Sequence, residues 1–424
     1  MLFIVLYEGS VLNTLELVKK LHVYFGLIFG PFIFIAALTG ALYIISPQVE
    51  SFIYKNALTG SLEGSPQSLQ MQVQTARASL DSPLKLIAVR PSPEIGTTTR
   101  VLFSDPQYSS QLTTVFVDPS TLEVKATLPT YGTSGALPLM TTLDFLHRSL
   151  LMGDGVRFYS ELAASWMSLL AISGIFLIFR SRTKIRNYFK FSKKNHQSIG
   201  LLLFVFMLFF SATGLTWSQW AGGNINDLRK DIGWTSPSLN LELPRAISGQ
   251  KNTENDFLFD PMLELAREHG LESRKIELRV PQTSNYAWEV REIDRSWPTQ
   301  VDRIAVDPST MAVVSGSYFE NYTVIAKLIR WGIDAHMGVL FGLPNQIVLF
   351  VFGLLLCTTI FLGYFSWWKK KSKLVNIFDL LSKVSNFKKL LFTALFFSFG
   401  VFLPILGLSF LVVIIIDYFK WKTL

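Results

Sequence analysis

The chain contains one cysteine in 424 residues, Cys357, and this residue lies inside an apolar run. A single thiol excludes a disulfide framework. Charged residues make up 17% of the chain, apolar residues make up 50%, and the mean hydropathy is +0.35. This balance is too apolar for a soluble protein and predicts an integral membrane protein with sizeable polar parts. The sequence also lacks a P-loop and a G-x-G-x-x-G after a strand, so it offers no nucleotide-binding motif.

The net charge of +8 does not indicate nucleic acid as a partner, because the basic residues are concentrated beside apolar segments. Lys19 and Lys20 precede the first apolar run, residues 180–194 are basic without an acid, and three lysines follow Trp368. Such clusters mark the cytoplasmic ends of membrane spans. Residues 1–14 carry one acid and no basic region, so we do not expect a signal peptide there.

Five apolar runs are long enough to cross a membrane. They occupy residues 21–45, 160–179, 197–220, 345–368 and 390–416. Pro404 lies inside the last run and predicts a kink. We favour one span for this run over a re-entrant hairpin, because it has too few residues for two full crossings.

With the basic loops inside, both long polar segments should lie outside, in the periplasm or its equivalent. The first half should contain a transmembrane helix at 15–46, an outer domain at 47–146, an outer histidine segment and helix at 147–181, and a cytoplasmic loop at 182–195. The second half should repeat this order, with a helix at 196–220, an outer domain at 221–335, a histidine segment and helix at 336–368, and a cytoplasmic loop at 369–389. A C-terminal helix at 390–418 should follow. Strand-like stretches such as residues 84–89 and 275–280 predict α+β folds for both outer domains.

Landmarks recur at fixed offsets and indicate a tandem duplication. His22 and His196 are 174 residues apart, and the same offset relates Thr39-Gly40 to Thr213-Gly214. An offset of 189 relates His147 to His336, Gly153 to Gly342, Gly174 to Gly363, and the two Val-Asp-Pro-Ser-Thr segments at 117–121 and 306–310. Asp-Pro-Ser-Thr between strands is typical of a turn and carries no chemistry. Because both halves begin on the inner side, the pseudo-twofold axis should run along the membrane normal.

Four of the five histidines, His22, His147, His196 and His336, occupy equivalent positions near span ends. The fifth, His269, precedes a glycine at the expected end of a soluble helix and is typical of a helix C-terminus. Paired histidines at both membrane faces suit haem iron, which takes two axial imidazoles for electron transfer. Zinc is the alternative, but it prefers four ligands. A proton relay would more naturally use acids within the spans.

Other residues have weaker assignments. Gly26, Gly30, Gly40, Gly200 and Gly214 would let a flat macrocycle or a neighbouring helix approach closely. Arg148, Arg157 and Arg330 could pair with haem propionates, or contact lipid headgroups. Trp217, Trp220, Trp234 and Trp331 favour an interfacial aromatic belt over a docking site.

This arrangement of an inner histidine, a helix ending in Thr-Gly, an outer α/β domain and His-x5-Gly resembles the PepSY-associated transmembrane family, from about residue 15 to residue 368. That family includes iron-regulated membrane proteins and bacterial siderophore reductases. The resemblance implies an α-helical membrane protein with two periplasmic PepSY-like domains. It also implies haem b, with His22, His147, His196 and His336 as iron ligands and two haems in all, and reduction of iron(III) in ferric siderophores at the periplasmic face.

We therefore expect a membrane-bound ferric-siderophore reductase that acts on siderophores or other iron(III) chelates. The inner loops are too short for a flavin or nicotinamide domain, so electrons should come from a separate cytoplasmic reductase or a membrane quinol. Two other functions stay open on the sequence alone. One is quinol-linked electron transfer to a periplasmic protein, and the other is a non-redox sensor or inhibitor that uses the outer domains.

Overall fold

The computed structural model describes residues 14–181, 195–243, 256–283, 285–371 and 376–423. Residues 1–13, where we expect no signal peptide, and the basic loop at 182–194 lie outside the described residues. The chain divides into two compact units. The helical unit comprises Met1–Tyr43, Phe145–Gly233 and Ile347–Leu424, and the sheet unit comprises Ile44–Asp144 and Trp234–Gln346.

The described residues form helices and strands that follow one order twice. The helices are α1 Thr14–Ile53, α2 Lys55–Leu58, α3 Leu69–Ala78, α4 Pro138–Ser149, α5 Phe158–Arg180, α6 Asn195–Thr216, α7 Ala221–Asp231, α8 Phe259–Glu268, α9 Val324–His336, α10 Gly342–Lys369, α11 Ile377–Ser382, α12 Asn386–Phe402 and α13 Pro404–Thr423. The strands are β1 Lys85–Arg90, β2 Thr99–Ser104, β3 Gln111–Val117, β4 Val124–Tyr131, β5 Ile276–Arg279, β6 Trp288–Glu292, β7 Arg303–Asp307 and β8 Ala312–Ser317. In each half a helix, four strands, a helix and a long apolar helix succeed one another.

Five helices in the described ranges are long and apolar enough to span a membrane. They are Thr14–Ile53, Asp154–Arg180, Asn195–Thr216, Gly342–Lys369 and Pro404–Lys422. The core of the helical unit is aromatic: the rings of Phe29 and Trp166 stack with centroids 4.0 Å apart, and the Trp166 indole N–H donates to Ser409 Oγ over 2.9 Å. Since buried indole needs an acceptor, this hydrogen bond ties α5 to α13.

The first span is longer than predicted, because Pro47 does not end α1. Proline removes one helical hydrogen bond, but the helix continues to Ile53. Buried Glu50 supports this extension by accepting the Met140 backbone N–H over 2.7 Å. Conversely, α6 ends at Thr216 rather than at residue 220, and a separate helix, α7, begins at Ala221.

The sheet unit holds one antiparallel eight-stranded sheet in the order β4-β3-β2-β1-β5-β6-β7-β8. The prediction of two separate outer domains is therefore wrong in number, since both four-stranded halves join through β1 and β5. Val89 pairs with Leu278 at this junction. Pairing the two edge strands satisfies backbone groups that two separate domains would leave open. Helices α3 and α8 cover one face, where Val73, Met262 and the inward residues of the strands form a buried core.

The predicted Asp-Pro-Ser-Thr turns are present. Asp118 Oδ1 accepts the backbone N–H groups of Ser120 and Thr121, and Asp307 Oδ1 accepts that of Ser309 over 2.8 Å. Burial acts to raise the pKa of Asp118, but these backbone donors, together with that of Ser61, lower it below its ordinary value. Both aspartates hold turns, as expected from the sequence.

The C-terminal apolar run contains two helices, α12 and α13, rather than the single helix expected over residues 390–418. The break lies at Leu403, directly before Pro404, since proline cannot donate to the preceding turn. Phe396 and Phe410 stack with centroids 3.8 Å apart across the break. A Cβ added to Gly400 would lie 3.0 Å from the Cα of Gly407. The run is therefore a helical hairpin that turns at Pro404.

Candidate functional site

His22 and His196 come together in the helical unit. His22 lies in α1 and His196 in the first turn of α6, and their ring centroids are 6.3 Å apart with an angle of 66° between the ring planes. Both side chains are half-buried. Two metal–imidazole bonds of roughly 2 Å each put two ring nitrogens roughly 4 Å apart across a metal ion. Each ring centroid lies one ring radius beyond its nitrogen, so the expected distance between the centroids is the nitrogen–nitrogen distance plus two ring radii. The observed distance between the centroids suits one metal between the two rings.

The hydrogen bonds of these rings assign their tautomers. His196 Nδ1 lies 2.8 Å from the carbonyl oxygen of Thr359, and a carbonyl can only accept, so Nδ1 carries the proton. His22 Nδ1 lies 2.8 Å from Ser173 Oγ, whose single proton is donated to the Leu170 carbonyl. The serine oxygen therefore accepts from His22. In both rings Nε2 is the unprotonated nitrogen, which is the atom that can bind a metal.

Each imidazole ring packs against a glycine of the facing helix, a contact that we call the glycine seat. A Cβ added to Gly174 would lie 3.4 Å from His22 Cε1, and one added to Gly363 would lie 3.2 Å from both Cε1 and Nδ1 of His196. Thr359 is four residues before Gly363, so the carbonyl that accepts from His196 is also the helical acceptor of the glycine N–H. Without a Cβ at residue 363, the imidazole can reach that carbonyl.

His147 has the same kind of seat at the other end of α1. Its Nδ1 lies 3.0 Å from Thr39 Oγ1, and the threonine donates its own proton to the Ile35 carbonyl over 2.7 Å. His147 Nδ1 is therefore the donor, and Nε2 is again the unprotonated nitrogen. A Cβ added to Gly40 would lie 3.2 Å from His147 Cε1. The Thr-Gly pair at 39–40, one of the repeated landmarks, thus holds a histidine.

His336 is the last residue of α9 and belongs to the sheet unit, whereas His147 belongs to the helical unit. In the turn before it, Asp334 is fully buried and accepts from Arg330 Nε over 2.9 Å and from Arg295 Nε over 2.6 Å. The glycines of the two His-x5-Gly motifs both have positive φ, +83° at Gly153 and +58° at Gly342. Each lets the chain turn before a long helix, which explains its recurrence.

The three arginines proposed for propionates all have protein partners. Arg148 lies 3.6 Å from Asp154, Arg157 donates to the Trp217 carbonyl over 2.9 Å, and Arg330 pairs with Asp334. Burial lowers the pKa of Arg330 below its ordinary value, although Asp334 acts to raise it. The structure gives no direct support to a propionate role for any of the three.

The other candidate residues have structural roles where the contacts are clear. Tyr364 packs on Gly30 and donates to the Leu27 carbonyl, so this glycine serves helix packing, whereas a Cβ on Gly200 would meet open space. Trp331 donates to Thr299 over 3.1 Å. His269 ends α8, with its Nδ1 2.9 Å from the Leu265 carbonyl and Gly270 at a φ of +84°, which confirms the predicted cap.

Sequence reasoning did not identify Glu161, a fully buried acid in α5. Its Oε2 accepts the backbone N–H groups of Trp220 and Ala221, over 3.2 and 3.0 Å, and its Oε1 accepts that of Ile405 over 3.3 Å. One carboxylate therefore caps both α7 and α13. The only signal was an acid in a span otherwise poor in acids.

The residues present fit a haem better than a protein-only zinc site. Among the described residues, no group of three or more histidine, cysteine, aspartate or glutamate side chains is placed to hold a metal ion. A haem needs only two imidazoles whose tautomers leave one ring nitrogen free for iron. His22 and His196 meet these requirements within one unit.

A family model described as the PepSY-associated TM region matches residues 19–370. No curated protein matches the chain. The match covers most of the sequence and includes all four paired histidines, whereas the C-terminal hairpin follows its end. The chain therefore belongs to the PepSY-associated transmembrane family, as its resemblance suggested.

Proposed function

We propose that this member of the PepSY-associated transmembrane family is a haem b oxidoreductase of the bacterial inner membrane. It carries electrons across the membrane to reduce ferric siderophores or other iron(III) chelates at the periplasmic face. The observation that carries the proposal is the His22–His196 pair, with ring centroids 6.3 Å apart and Nδ1 of each ring held by an acceptor.

The inner site would be formed by His22 and His196. When bound, haem b supplies a one-electron iron(III)/iron(II) couple. With an imidazole from each histidine on the iron, no position would stay open for oxygen, so this site would suit electron transfer. The acceptors Ser173 and Thr359 keep each Nε2 unprotonated, and Gly174 and Gly363 leave room for the rings.

We assign His147 and His336 to the second, outer haem on the sequence repeat alone, in which these residues are 189 apart, as are Gly174 and Gly363. His147 also has the seat seen for the inner ligands, with its Nδ1 donating to Thr39. The duplicated element order supports two haems per chain, with equivalent histidines as their ligands.

The proposed orientation of the protein in the membrane rests on the distribution of its basic residues. Lys19, Lys20 and the basic stretch at 180–194 favour the cytoplasmic side for one end of the spans, which puts the sheet unit in the periplasm. Electrons would enter from a cytoplasmic reductase or a membrane quinol, because the chain has no nucleotide motif. Reduction releases iron because the hard oxygen donors of a siderophore hold iron(III) better than iron(II).

Haem content and its dependence on each histidine test this function. We expect a pyridine haemochrome assay on the purified protein to give about two haems per chain, since each needs two ligands. His22→Ala should remove the inner haem and His147→Ala the outer one, whereas His269→Ala, at an exposed helix end, should lose neither. A protein that binds no haem would contradict the proposal and favour a sensor function.

A further inference from the structure

One face of the eight-stranded sheet carries a row of arginines across its middle. The row, which we call the arginine row, runs over five adjacent strands, β2, β1, β5, β6 and β7. Arg90 is paired in register with Arg100, and Arg291 is paired in register with both Glu277 and Arg303. Arg279, two residues along β5 from Glu277, points to the same face. Two-residue periodicity thus puts five arginines on one side of the sheet.

Among the described residues, apolar clusters cover this face at its two ends, and the carbonyls of Gly132 and Gly135 accept from Arg90 and Arg100. At one end, Ala57 and Leu137 pack on Phe116 of β3, and the Arg100 guanidinium lies 5.3 Å from the same ring. At the other end, Leu243 packs on Ala287 and on Ala305 of β7. The arginine row lies between these clusters. Its exposure increases from Arg90, whose side chain is 7% exposed, to Arg279, whose side chain is 37% exposed.

The row already holds one carboxylate. Glu277 is 1% exposed, and its oxygens lie 2.6 Å from Arg90, 2.5 Å from Arg291 and 3.3 Å from Arg279. Burial acts to raise the pKa of Glu277, but the three guanidinium groups lower it below its ordinary value. Guanidinium groups match carboxylates because both are planar and can form two parallel hydrogen bonds.

Positive charge exceeds negative charge along the row. Glu289 lies 3.9 Å from Arg279, Arg291 and Arg303, and Glu50 is the acid that faces Arg100. Among the residues that the structure describes, five arginines of the row therefore face three acids. Burial and the neighbouring Arg90 lower the pKa of Arg100 to about 10, although Glu50 acts to raise it. Like charges opposite each other destabilise a sheet unless an anion lies between them.

A second observation points to a ligand. In the part of the chain that the structure describes, the Arg291 Nε is buried and has no hydrogen-bond partner. A buried guanidinium N–H without an acceptor is costly, and a bound anion would remove that cost. Arg279 and Arg303 are more exposed than Arg291, with side chains 37% and 28% exposed, and Arg303 also donates to the Pro237 carbonyl over 3.2 Å.

We propose that the arginine row is a binding site for iron(III) chelates that carry carboxylate groups, with Arg279, Arg291 and Arg303 as the residues that contact them. This inference rests on the proposed function and names its substrate class. The row provides paired N–H donors for carboxylate oxygens, and its excess positive charge favours a chelate with net negative charge. Chelates with net positive charge, such as trihydroxamates with a free amine, should bind poorly.

Binding of a redox-inactive chelate tests the site without electron transfer. Equilibrium dialysis of the full-length protein in neutral-lipid nanodiscs, with gallium(III) citrate as the probe, measures affinity whether or not haem is reduced. Arg279→Gln and Arg303→Gln should each weaken binding about three- to tenfold, because each removes a charged hydrogen-bond donor. Arg274→Gln, on an exposed residue of the same unit, is the matched control and should leave binding unchanged.

The same measurement distinguishes the alternatives. A cationic gallium(III) trihydroxamate should bind more weakly than gallium(III) citrate, and added salt should weaken binding. Equal affinity of the wild type and the Arg279→Gln, Arg303→Gln double variant would overturn the assignment, as would tighter binding of the cationic trihydroxamate or no binding by the wild type. His22→Ala should retain gallium(III) citrate binding, so loss of electron transfer and loss of this site are separable.

Discussion

The Thr359 carbonyl oxygen lies 2.8 Å from Nδ1 of His196, a contact between two membrane helices 163 residues apart in sequence. It fixes the proton on Nδ1 and leaves Nε2 unprotonated. Ser173 and Thr39 do the same for His22 and His147 through hydroxyl oxygens. A histidine that only packed in a membrane would not need the same tautomer and the same glycine seat at three positions.

The first prediction concerns the glycine seat of His196. A methyl group at residue 363 would lie 3.2 Å from Nδ1 and Cε1 of His196, so Gly363→Ala should push the ring away from the Thr359 carbonyl. We expect haem retention at the inner site to fall about tenfold, as for other disruptions around a metal ligand. Haem loss to apomyoglobin measures this. Gly223→Ala, where an added Cβ meets nothing within 4 Å, is the control, and equal loss in both variants would contradict the seat.

The second prediction concerns the hydroxyl acceptors. A hydrogen bond donated by Nδ1 makes the imidazole a stronger donor to iron and favours iron(III). Ser173→Ala should therefore raise the reduction potential of the inner haem, and Thr39→Ala that of the outer haem. The shift should be tens of millivolts, since a tenfold change in relative affinity is about 59 mV for one electron. Potentiometric titration of each variant measures the potentials of both haems, and the haem far from the substitution is the internal reference. Equal shifts of both haems in one variant would contradict the assignment of each hydroxyl to one haem.

The third prediction concerns the buried cap at Glu161. Glu161→Gln keeps one acceptor oxygen but turns an amide N–H₂ toward backbone donors, so at least one of the N–H groups of Ala221 and Ile405 loses its partner. An unsatisfied buried donor costs about 1–3 kcal/mol. The apparent melting temperature in detergent should fall for Glu161→Gln and stay unchanged for the exposed Glu264→Gln. Equal melting temperatures would mean that water satisfies these groups.

The sequence was sufficient for features that depend on local pattern. Apolar runs indicated the spans, the Asp-Pro-Ser-Thr segments predicted the turns at Asp118 and Asp307, and the glycine after His269 predicted a helix end. The repeat also drew attention to Gly174 and Gly363 before their purpose was visible. In the structure each lies against a histidine of the same half. Whether the histidines bind haem stays a prediction.

Features that depend on distant contacts were not predictable. Ser173 and Thr359 have no sequence signal, because each is defined only by the histidine that reaches it from another helix. The joining of the two halves of the sheet is also non-local, because β1 pairs with β5 across a stretch of sequence that contains two membrane-spanning helices. Pro404 did signal a break, but length alone could not show that Phe396 would stack on Phe410.

The fourth prediction concerns the acid stability of the sheet unit. Burial acts to raise the pKa of Glu277, but Arg90, Arg291 and Arg279 lower it overall. A carboxyl group with a lowered folded-state pKa stabilises the fold above its unfolded-state pKa of about 4.3, and this contribution is lost as the pH falls through the folded-state value. The wild type should therefore lose stability below about pH 4.

Glu277→Gln isolates this contribution. The variant leaves three guanidinium groups without their shared anion, and we expect about 3–5 kcal/mol of destabilisation at neutral pH. The difference from the wild type should shrink as the pH falls. Unfolding monitored by the buried Trp288 would measure it. A constant difference across pH would show that Glu277 acts through packing and not through its charge.

The last prediction concerns the direction of the C-terminal hairpin. At its base, Asp417 Oδ2 accepts the Ile377 backbone N–H over 2.8 Å, so the end of α13 lies beside the start of α11. At its turn, the Asn224 amide donates to the Phe402 carbonyl over 2.9 Å. Both ends of the hairpin should therefore lie on one side of the membrane.

Single cysteines at Asn386 and Lys422, in a Cys357→Ala background, should react with an impermeant maleimide from the same side as one at Lys370. A cysteine at exposed Met152, before the start of α5, should react from the opposite side. If the cysteines at positions 386 and 422 reacted from opposite sides, the run would cross the membrane once, and the contacts of Asp417 and Glu161 would need another explanation.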